Sequence, residues 1–465
     1  MQLNLLSNSD RDDAIAQVHS ATAIYTRSGV INELLDDLNW PERTGLLCDP
    51  SCGDGAFLEV ALERLLAVNP SIGVEQVRQR LVGWEFFPCA VEAAKARLCR
   101  LLLSEGRSKS DAEAIADACV VEGDFLTDGP TRPTFDLIAG NPPYLRFLGV
   151  PEVLRSAYQH VVPEYAQKDL MHCFLDRCAD VLRPGGAMGL VTADRWLFNQ
   201  GAEQLRCQIG RRWKLANAKR MTTKSAFYRP KNRVKGSLPR IHPVSVILSD
   251  SGRPLTTAPI YPGAEDVHIE GPPLGSIAHV RLAPWLGPHG IFTIDSHRAS
   301  SFPESRLVPI ADVKDCEGGA FQPRGHLALR TEGEGLPEVI RQHLDREMVN
   351  MPTRGQERGS RYLPPEGWEK AFSLDEPLLL IPRIALGIQC VRIPAGVLPV
   401  NHGNTVVRAG QYSLDAIETA ITSDAAQAWI RARAPRLEND YLSITTTLLR
   451  SLPVPLGESQ TLKAA

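Results

Sequence analysis

Five short apolar runs, at 46–48, 81–84, 120–121, 135–139 and 187–192, alternate with amphipathic helical stretches at 57–66, 90–103 and 170–182. A run that is apolar throughout reads as a strand buried on both faces. Strands alternating with helices imply parallel pairing, because each crossover must carry the chain back to the same end of the sheet. The stop Arg183-Pro184-Gly185-Gly186 separates the last helix from its strand, and 244–248 offers one further strand to close the sheet. The first half is therefore expected to be α/β, with helices on both faces of its sheet.

At 465 residues the chain exceeds one ordinary core, and two domains are expected. The texture changes after Ser249: 251–309 is rich in Pro, Gly and Ser and reads as linker and irregular structure. Beyond it, short strands at 378–381, 390–393 and 405–407 mix with one helix over 414–433. The expected division is 1–250, linker 251–309, and 310–465. No apolar run reaches the length of a membrane span, and 1–13 lacks a secretory pattern, so a cytoplasmic protein with no membrane association is expected. Ten scattered cysteines form no Cys-x-x-Cys pair and no Cys/His set at zinc spacing, so no metal is expected; Cys48 and Cys52 read as reduced small side chains of a tight loop. Net charge is −3, yet 206–240 holds twelve Lys/Arg and no acid, the footprint of either a phosphate-contacting edge or a solvated basic face.

The string Asp49-Pro50-Ser51-Cys52-Gly53-Asp54-Gly55-Ala56-Phe57-Leu58 follows a strand and opens a helix. Glycines admit a ligand close to the backbone, a helix start offers free N–H groups, and Asp49 suits a cation or amino group better than a pyrophosphate. Glu85, ending the next run, can accept both hydroxyls of a ribose, with Phe86 packing beside it. Asn141-Pro142-Pro143-Tyr144 follows the run 135–139. An exocyclic amine conjugated to a base is a poor nucleophile, because its lone pair is delocalised into the ring. Two oxygens accepting both N–H bonds localise that pair on nitrogen. The side-chain oxygen of Asn141 and the backbone carbonyl of Pro142 can supply them, and Tyr144 offers a flat surface for a base turned out of its stack.

The 49–58 string resembles the AdoMet-binding loop of class I methyltransferases, and Asn141-Pro142-Pro143-Tyr144 resembles the catalytic motif of the amino-methyltransferases. Tyr25-Thr26-Arg27 before a helical stretch at 30–38 resembles the family's first cofactor segment, with Arg27 where the family usually has Pro. Asp124-Phe125 matches the position where Asp takes the cofactor's adenine amine and the neighbouring ring packs on its base. This order, cofactor segment first and catalysis second, is that of the γ class (TaqI-type) of N6-adenine DNA methyltransferases. The resemblance implies a Rossmann-like mixed sheet, AdoMet as cofactor, Thr26, Asp49, Pro50, Cys52, Gly53, Gly55, Glu85, Phe86, Asp124, Phe125 and Asn141 as its binding residues, and Asn141, Pro142 and Tyr144 as the catalytic set.

Phe227, in the basic segment, matches the aromatic that contacts the flipped base in this family; ordinary core is the alternative. The blocks 436–444 and 449–455 resemble the close of the family's specificity domain, implying a C-terminal α+β target-recognition domain. Arg354, Arg358 and Arg361 can reach phosphates or guanines or can be a solvated loop. Double-stranded DNA is the implied partner, with a separate restriction endonuclease or defence-system subunit beside it. No Asp…Glu-x-Lys nuclease signature is seen, so methylation alone is expected. Three alternatives remain: a protein-glutamine or RNA N-methyltransferase, a non-catalytic DNA-binding subunit, and cytosine N4 as the acceptor.

Overall fold

The structure, a computed structural model, describes residues 8–228, 241–264, 267–316, 319–333, 335–352 and 360–455. It divides into two compact units, Met1–Gly263 and Ala264–Ala465.

The first unit carries strands β1 (Tyr25–Thr26), β2 (Leu47–Asp49), β3 (Leu81–Glu85), β4 (Val120–Glu122), β5 (Phe135–Gly140), β6 (Leu182–Ala193), β7 (Lys214–Arg220), β8 (Phe227–Tyr228), β9 (Pro243–Ser249) and β10 (Arg253–Pro254). Its helices are α1 (Asn8–Thr22), α2 (Ser28–Asp37), α3 (Ala56–Val68), α4 (Val74–Arg78), α5 (Pro88–Ser104), α6 (Lys109–Cys119), α7 (Glu152–Val161), α8 (Leu170–Val181), α9 (Arg195–Phe198), α10 (Glu203–Gly210) and α11 (Thr223–Ala226). Eight strands form one sheet in the order β10-β7-β9-β6-β5-β2-β3-β4. β2 to β6 are mutually parallel, and β9, β7 and β10 extend the sheet antiparallel. The apolar runs become strands because each face is covered by helices. Leu34, Leu62, Leu98 and Ile115 of α2, α3, α5 and α6 pack one face. Val18, Leu154, Leu175 and Leu205 of α1, α7, α8 and α10 pack the other.

The strand order reverses beside β2. The chain runs outward from β2 to β3 and β4, then returns to β5 on the opposite flank of β2. α3, after β2, and α8, after the β5 exit, lie on opposite faces, so the carboxyl ends of β2 and β5 flank an open crevice. The approach is close: a Cβ on Gly140 would stand 2.6 Å from Asp49 Oδ1.

The structure refines three sequence expectations in this unit. The Arg183-Pro184-Gly185-Gly186 stop is an excursion within β6, since Leu182 pairs with Phe135 and Ala187 with Leu137. Cys48 and Cys52 do not share a loop wall; they pack into the cores on opposite faces of the sheet. The basic segment is in good part structural. Arg206 is fully buried, donating to the carbonyls of Trp196 (2.7 Å), Asn199 (3.0 Å) and Thr257 (2.7 Å). Lys219 pairs with Glu33, Arg212 with Asp180 and Arg220 with Asp194. Residues 229–240 of that segment lie outside the described residues.

The second unit holds two four-stranded sheets, β11-β19-β15-β17 and β12-β14-β13-β18. Their strands are β11 (His279–Leu282), β12 (Thr293–Asp295), β13 (Leu307–Ala311), β14 (His326–Leu329), β15 (Leu378–Pro382), β17 (Val391–Ile393), β18 (Leu398–Pro399) and β19 (Asn404–Arg408), with β16 (Ile384–Ala385) and β20 (Leu442–Ser443) in a separate ladder. Helices α12 (Leu274–Ile277), α13 (Glu338–Glu347), α14 (Leu414–Thr422), α15 (Asp424–Arg433) and α16 (Thr446–Arg450) complete it. Residues of both sheets share one core around Phe292, Ile310, Trp368, Leu380 and Val406. Two expectations are corrected. The stretch read as linker supplies β11 and β12, whose shortness hides their period. The single helix over 414–433 is two helices, because Ser423 turns extended (φ −58°, ψ 154°) and its hydroxyl accepts from Ala426 N, starting a new helix. Among the described residues no helix is long and apolar enough to cross a membrane.

Replacing Arg206 by Met removes the shared donor of three carbonyls, those of Trp196, Asn199 and Thr257, and leaves the buried one at Trp196 without it. Urea denaturation of Arg206→Met is expected to show a loss of about 2 kcal/mol; a midpoint equal to that of the native chain would contradict the structural role assigned to this cation.

Candidate active site

Three acids stand at the carboxyl edge of three neighbouring strands: Asp49 ends β2, Glu85 ends β3, and Asp124 lies just past β4. They are only 3%, 6% and 3% exposed, and all three line one cleft. Backbone donors hold each in place. Asp49 Oδ1 accepts from Ser51 N at 3.0 Å. The two oxygens of Glu85 accept from Gly53 N and Phe87 N, each at 2.9 Å. Asp124 accepts from Leu126 N at 3.0 Å and from the Tyr158 hydroxyl at 2.7 Å. These bonds stabilise the ionised forms, but burial outweighs them. Burial pushes the Asp49 carboxyl up to about 8, with the charge of Glu85 adding to the rise, and it raises Glu85 and Asp124 as well.

The glycine loop is locked to the helix behind it. Gly55, in the left-handed region at φ 81°, begins α3 so close to α5 that a Cβ would stand 3.0 Å from Ala94. Arg97 of α5 donates to the Asp54 carbonyl at 2.8 Å and pairs with the Asp54 carboxylate at 2.6 Å and with Glu59 at 2.7 Å. The first strand enters beside this loop through the β1–β8 ladder, in which Tyr25 faces Tyr228 and Thr26 faces Phe227. Thr26 is 3% exposed, lines the cleft, and its hydroxyl has no hydrogen-bond partner among the described residues.

Asn141 caps the floor. Its amide donates to Ile24 O at 3.2 Å, while its Oδ1 accepts from the Tyr144 hydroxyl at 2.5 Å; that hydroxyl also lies 2.8 Å from Val191 O. Burial raises the Tyr144 hydroxyl well above its ordinary value, so it remains a donor at neutral pH.

Of the eleven residues expected to bind cofactor, the cleft brings together Thr26, Asp49, Pro50, Cys52, Gly53, Glu85, Phe86, Asp124, Phe125 and Asn141. Gly55 stands apart, packed against Ala94. Pro142, Tyr144 and Phe227 are not on its wall. Phe227 is fully buried, edge-on to Tyr144 with ring centroids 6.1 Å apart, and presents no open face. Phe125 reaches the cleft but spends its ring on a stack with Phe174 (6.0 Å) and Phe135 (6.4 Å). Half-buried Trp84 and Phe86 are the more open aromatic surfaces. The sequence reading missed His19 of α1, stacked 4.1 Å from Phe87, and Tyr158 of α7, which holds Asp124. Both sit on helices whose pattern signals only packing, so no local signal could have found them. In the second unit, Arg354 and Arg358 lie outside the described residues, and Arg361 is paired with Asp345 at 3.1 Å.

The cleft is partly open to solvent. Its acids suit a ligand bearing positive charge and hydroxyl or amine donors, and the Thr26 hydroxyl offers one more polar contact.

The first unit thus has the α/β fold of the AdoMet-dependent methyltransferases. Residues 90–227 match the family described as Eco57I restriction-modification methylase. The chain is 25% identical to the Type II methyltransferase M.XhoI of Xanthomonas vasicola, over 93% of its own length and 90% of the relative's. It is also 25% identical to the Type II methyltransferase M.PaeR7I of Pseudomonas aeruginosa, over 93% and 85%. The chain thus resembles Type II restriction-modification methylases along nearly all its length. Among solved structures, the Type IIL restriction-modification enzyme MmeI in complex with DNA shares the fold, with a TM-score of 0.60 at 13% identity. That match covers 95% of this chain and 65% of MmeI.

Because the fold raises the Asp49 carboxyl from 3.8 to about 8, it favours the protonated form. That contribution is full below about pH 4 and is lost as pH rises through 8. Asp49→Asn, which cannot ionise, is therefore expected to gain melting temperature over the native chain between about pH 6 and pH 9. Parallel melting curves across that interval would refute the buried-acid assignment.

Proposed function

We propose that this chain is a site-specific DNA methyltransferase that transfers a methyl group from AdoMet to the N6 amine of adenine in duplex DNA. The observation that carries the reading is the position of Asn141: its side chain closes the floor of a cleft lined by buried acids, so one residue borders both the cofactor cleft and the Asn-Pro-Pro-Tyr loop. The cleft fits AdoMet by its donor set: Glu85 for the ribose hydroxyls, Asp124 for the adenine amine, Asp49 with the glycine loop for the methionine end, and beside them the Thr26 hydroxyl, unpartnered among the described residues. When bound, AdoMet supplies an activated methyl group on a sulfonium.

The chain's own residues do the rest by alignment. Asn141 Oδ1 and the Pro142 carbonyl accept the two N–H bonds of the adenine amine and hold its lone pair on nitrogen. Asn141 Oδ1 has a second lone pair beyond the one engaged by Tyr144, so it can receive the amine without first releasing its partner. Tyr144 stacks on the base after it leaves the duplex. Phe227, fully buried behind Tyr144, contributes by fixing the edge of that ring, and it meets the base only if β8 moves.

The γ-class order of segments supports adenine as the acceptor. The near full-length similarity to Type II methyltransferases supports DNA over a protein glutamine or RNA, and a companion restriction endonuclease as the system's other part. The second unit is the proposed target-recognition domain, beginning at Ala264 rather than at 310.

The test is single-molecule sequencing of DNA from cells expressing the chain or Asn141→Ala, with AdoMet binding to both proteins measured by calorimetry. N6-methyladenine at one short motif, absent in a variant that still binds AdoMet, is expected. N4-methylcytosine would reassign the acceptor. Unmodified DNA with labelled protein or RNA after incubation with cell extract would overturn the substrate, and equal methylation by Asn141→Ala would remove Asn141 from the reaction.

A further inference from the structure

The second unit contains a cluster that the proposed reaction does not use. β12 is a three-residue edge strand, and its last residue, Asp295, sits directly opposite His326 of β14. Thr293, two residues earlier, projects from the same face. The turn before β12 folds back, with Gly287 and Gly290 at φ 93° and 97° and Gly290 N donating to Thr293 O at 2.8 Å, and this delivers His289 to that face. His289 Nε2 and His326 Nε2 each lie 3.2 Å from the same oxygen, Asp295 Oδ1. The two imidazoles are 4.8 Å apart between centroids, and the three ligand atoms all lie within 4.8 Å of one another.

We propose that His289, Asp295 and His326 form a binding site for one divalent transition-metal ion of the zinc class, with solvent completing its coordination. Two histidines and one carboxylate are a donor set that zinc takes, at bond lengths of about 2.0 Å. The edge of a tetrahedron built on such bonds is roughly 3.3 Å, and both His–Asp separations already match it. The third edge closes by rotating His289, which is 47% exposed and has room to turn. The outer contact is also present: Thr293 Oγ1 lies 3.2 Å from His289 Nδ1. If Nδ1 carries the proton and donates to that hydroxyl, the lone pair on Nε2 points at a carboxylate lone pair, an arrangement that a shared cation relieves. The ion would tie the turn, the edge strand and β14 together where β12 has only three paired residues. This site is independent of the catalytic reading, and it departs from the sequence expectation of no metal, because its ligands come from a turn and two strands rather than from one spaced motif.

The full-length chain, stripped with a chelator, is titrated with cobalt(II) and followed by visible ligand-field absorption, with zinc as competitor and melting temperature as a second readout. One equivalent is expected, without a thiolate charge-transfer band, displaced by zinc and accompanied by a raised melting temperature. His289→Ala and His326→Ala should each lose that equivalent, and Thr293→Val should weaken it roughly tenfold. Circular dichroism of the variants separates a lost site from a lost fold. The isosteric Asp295→Asn provides a folded variant should either alanine fail. No cobalt absorption, or binding unchanged in these variants, would leave only a hydrogen-bonded His–Asp–His group and overturn the proposal.

Discussion

Everything in the first unit follows from how closely β2 and β5 run side by side. Their pairing, Leu47 to Leu137 and Cys48 to Ile138, puts Asp49 and Gly140 at adjacent strand ends with no room for a side chain on the latter. Because the connections leave these two strands toward opposite faces, the polypeptide cannot cover the gap between them. A crevice at this edge is therefore a product of topology, and the residues that finish the strands become its wall. The acids occupy it at an energetic cost, since burial opposes their charge, and the hydrogen bonds from Gly53, Phe87, Ser51 and Leu126 only partly offset it.

That opposition gives the cleft its chemical character. A protein with no use for these carboxylates gains nothing by burying three of them along one edge. A ligand carrying positive charge and several N–H or O–H donors relieves what the fold leaves strained. The loop that would meet such a ligand is held rigid from behind by Arg97, so its backbone N–H groups are set before anything binds. The proposed reaction asks for little else: no titrating base and no nucleophilic side chain, only acceptors placed where an amine must sit.

Much of this could be read from the chain because the relevant signals are local. Asp49, Glu85 and Asn141 each terminate an apolar run, and the end of a parallel strand is where a sheet presents function. What escaped was whatever depended on distant partners. Tyr158 reaches Asp124 across 34 residues of sequence. Arg206 looked like one more cation in a basic stretch, yet three carbonyls from two separate segments enclose it. Phe125 and Phe227 were matched to base-facing positions, but aromatic side chains serve core and site equally well, and only packing separates the two uses. In the second unit, strands of two to five residues carry too few alternations to show a period, and Ser423 ends one helix and starts another without any glycine or proline to mark the break.

The hydrogen bond between Tyr144 and Asn141 has a further implication for turnover. An acceptor oxygen already engaged within the protein gains less from an incoming amine than a free one would, so little ground-state affinity is invested at the reacting atom. Under the proposed reaction, a singly methylated amine has only one N–H left to donate, while the phenol hydroxyl stays in place with its bond to Asn141. The loop can therefore let go of the modified base as readily as it receives the next, and tight association is left to contacts remote from the chemistry.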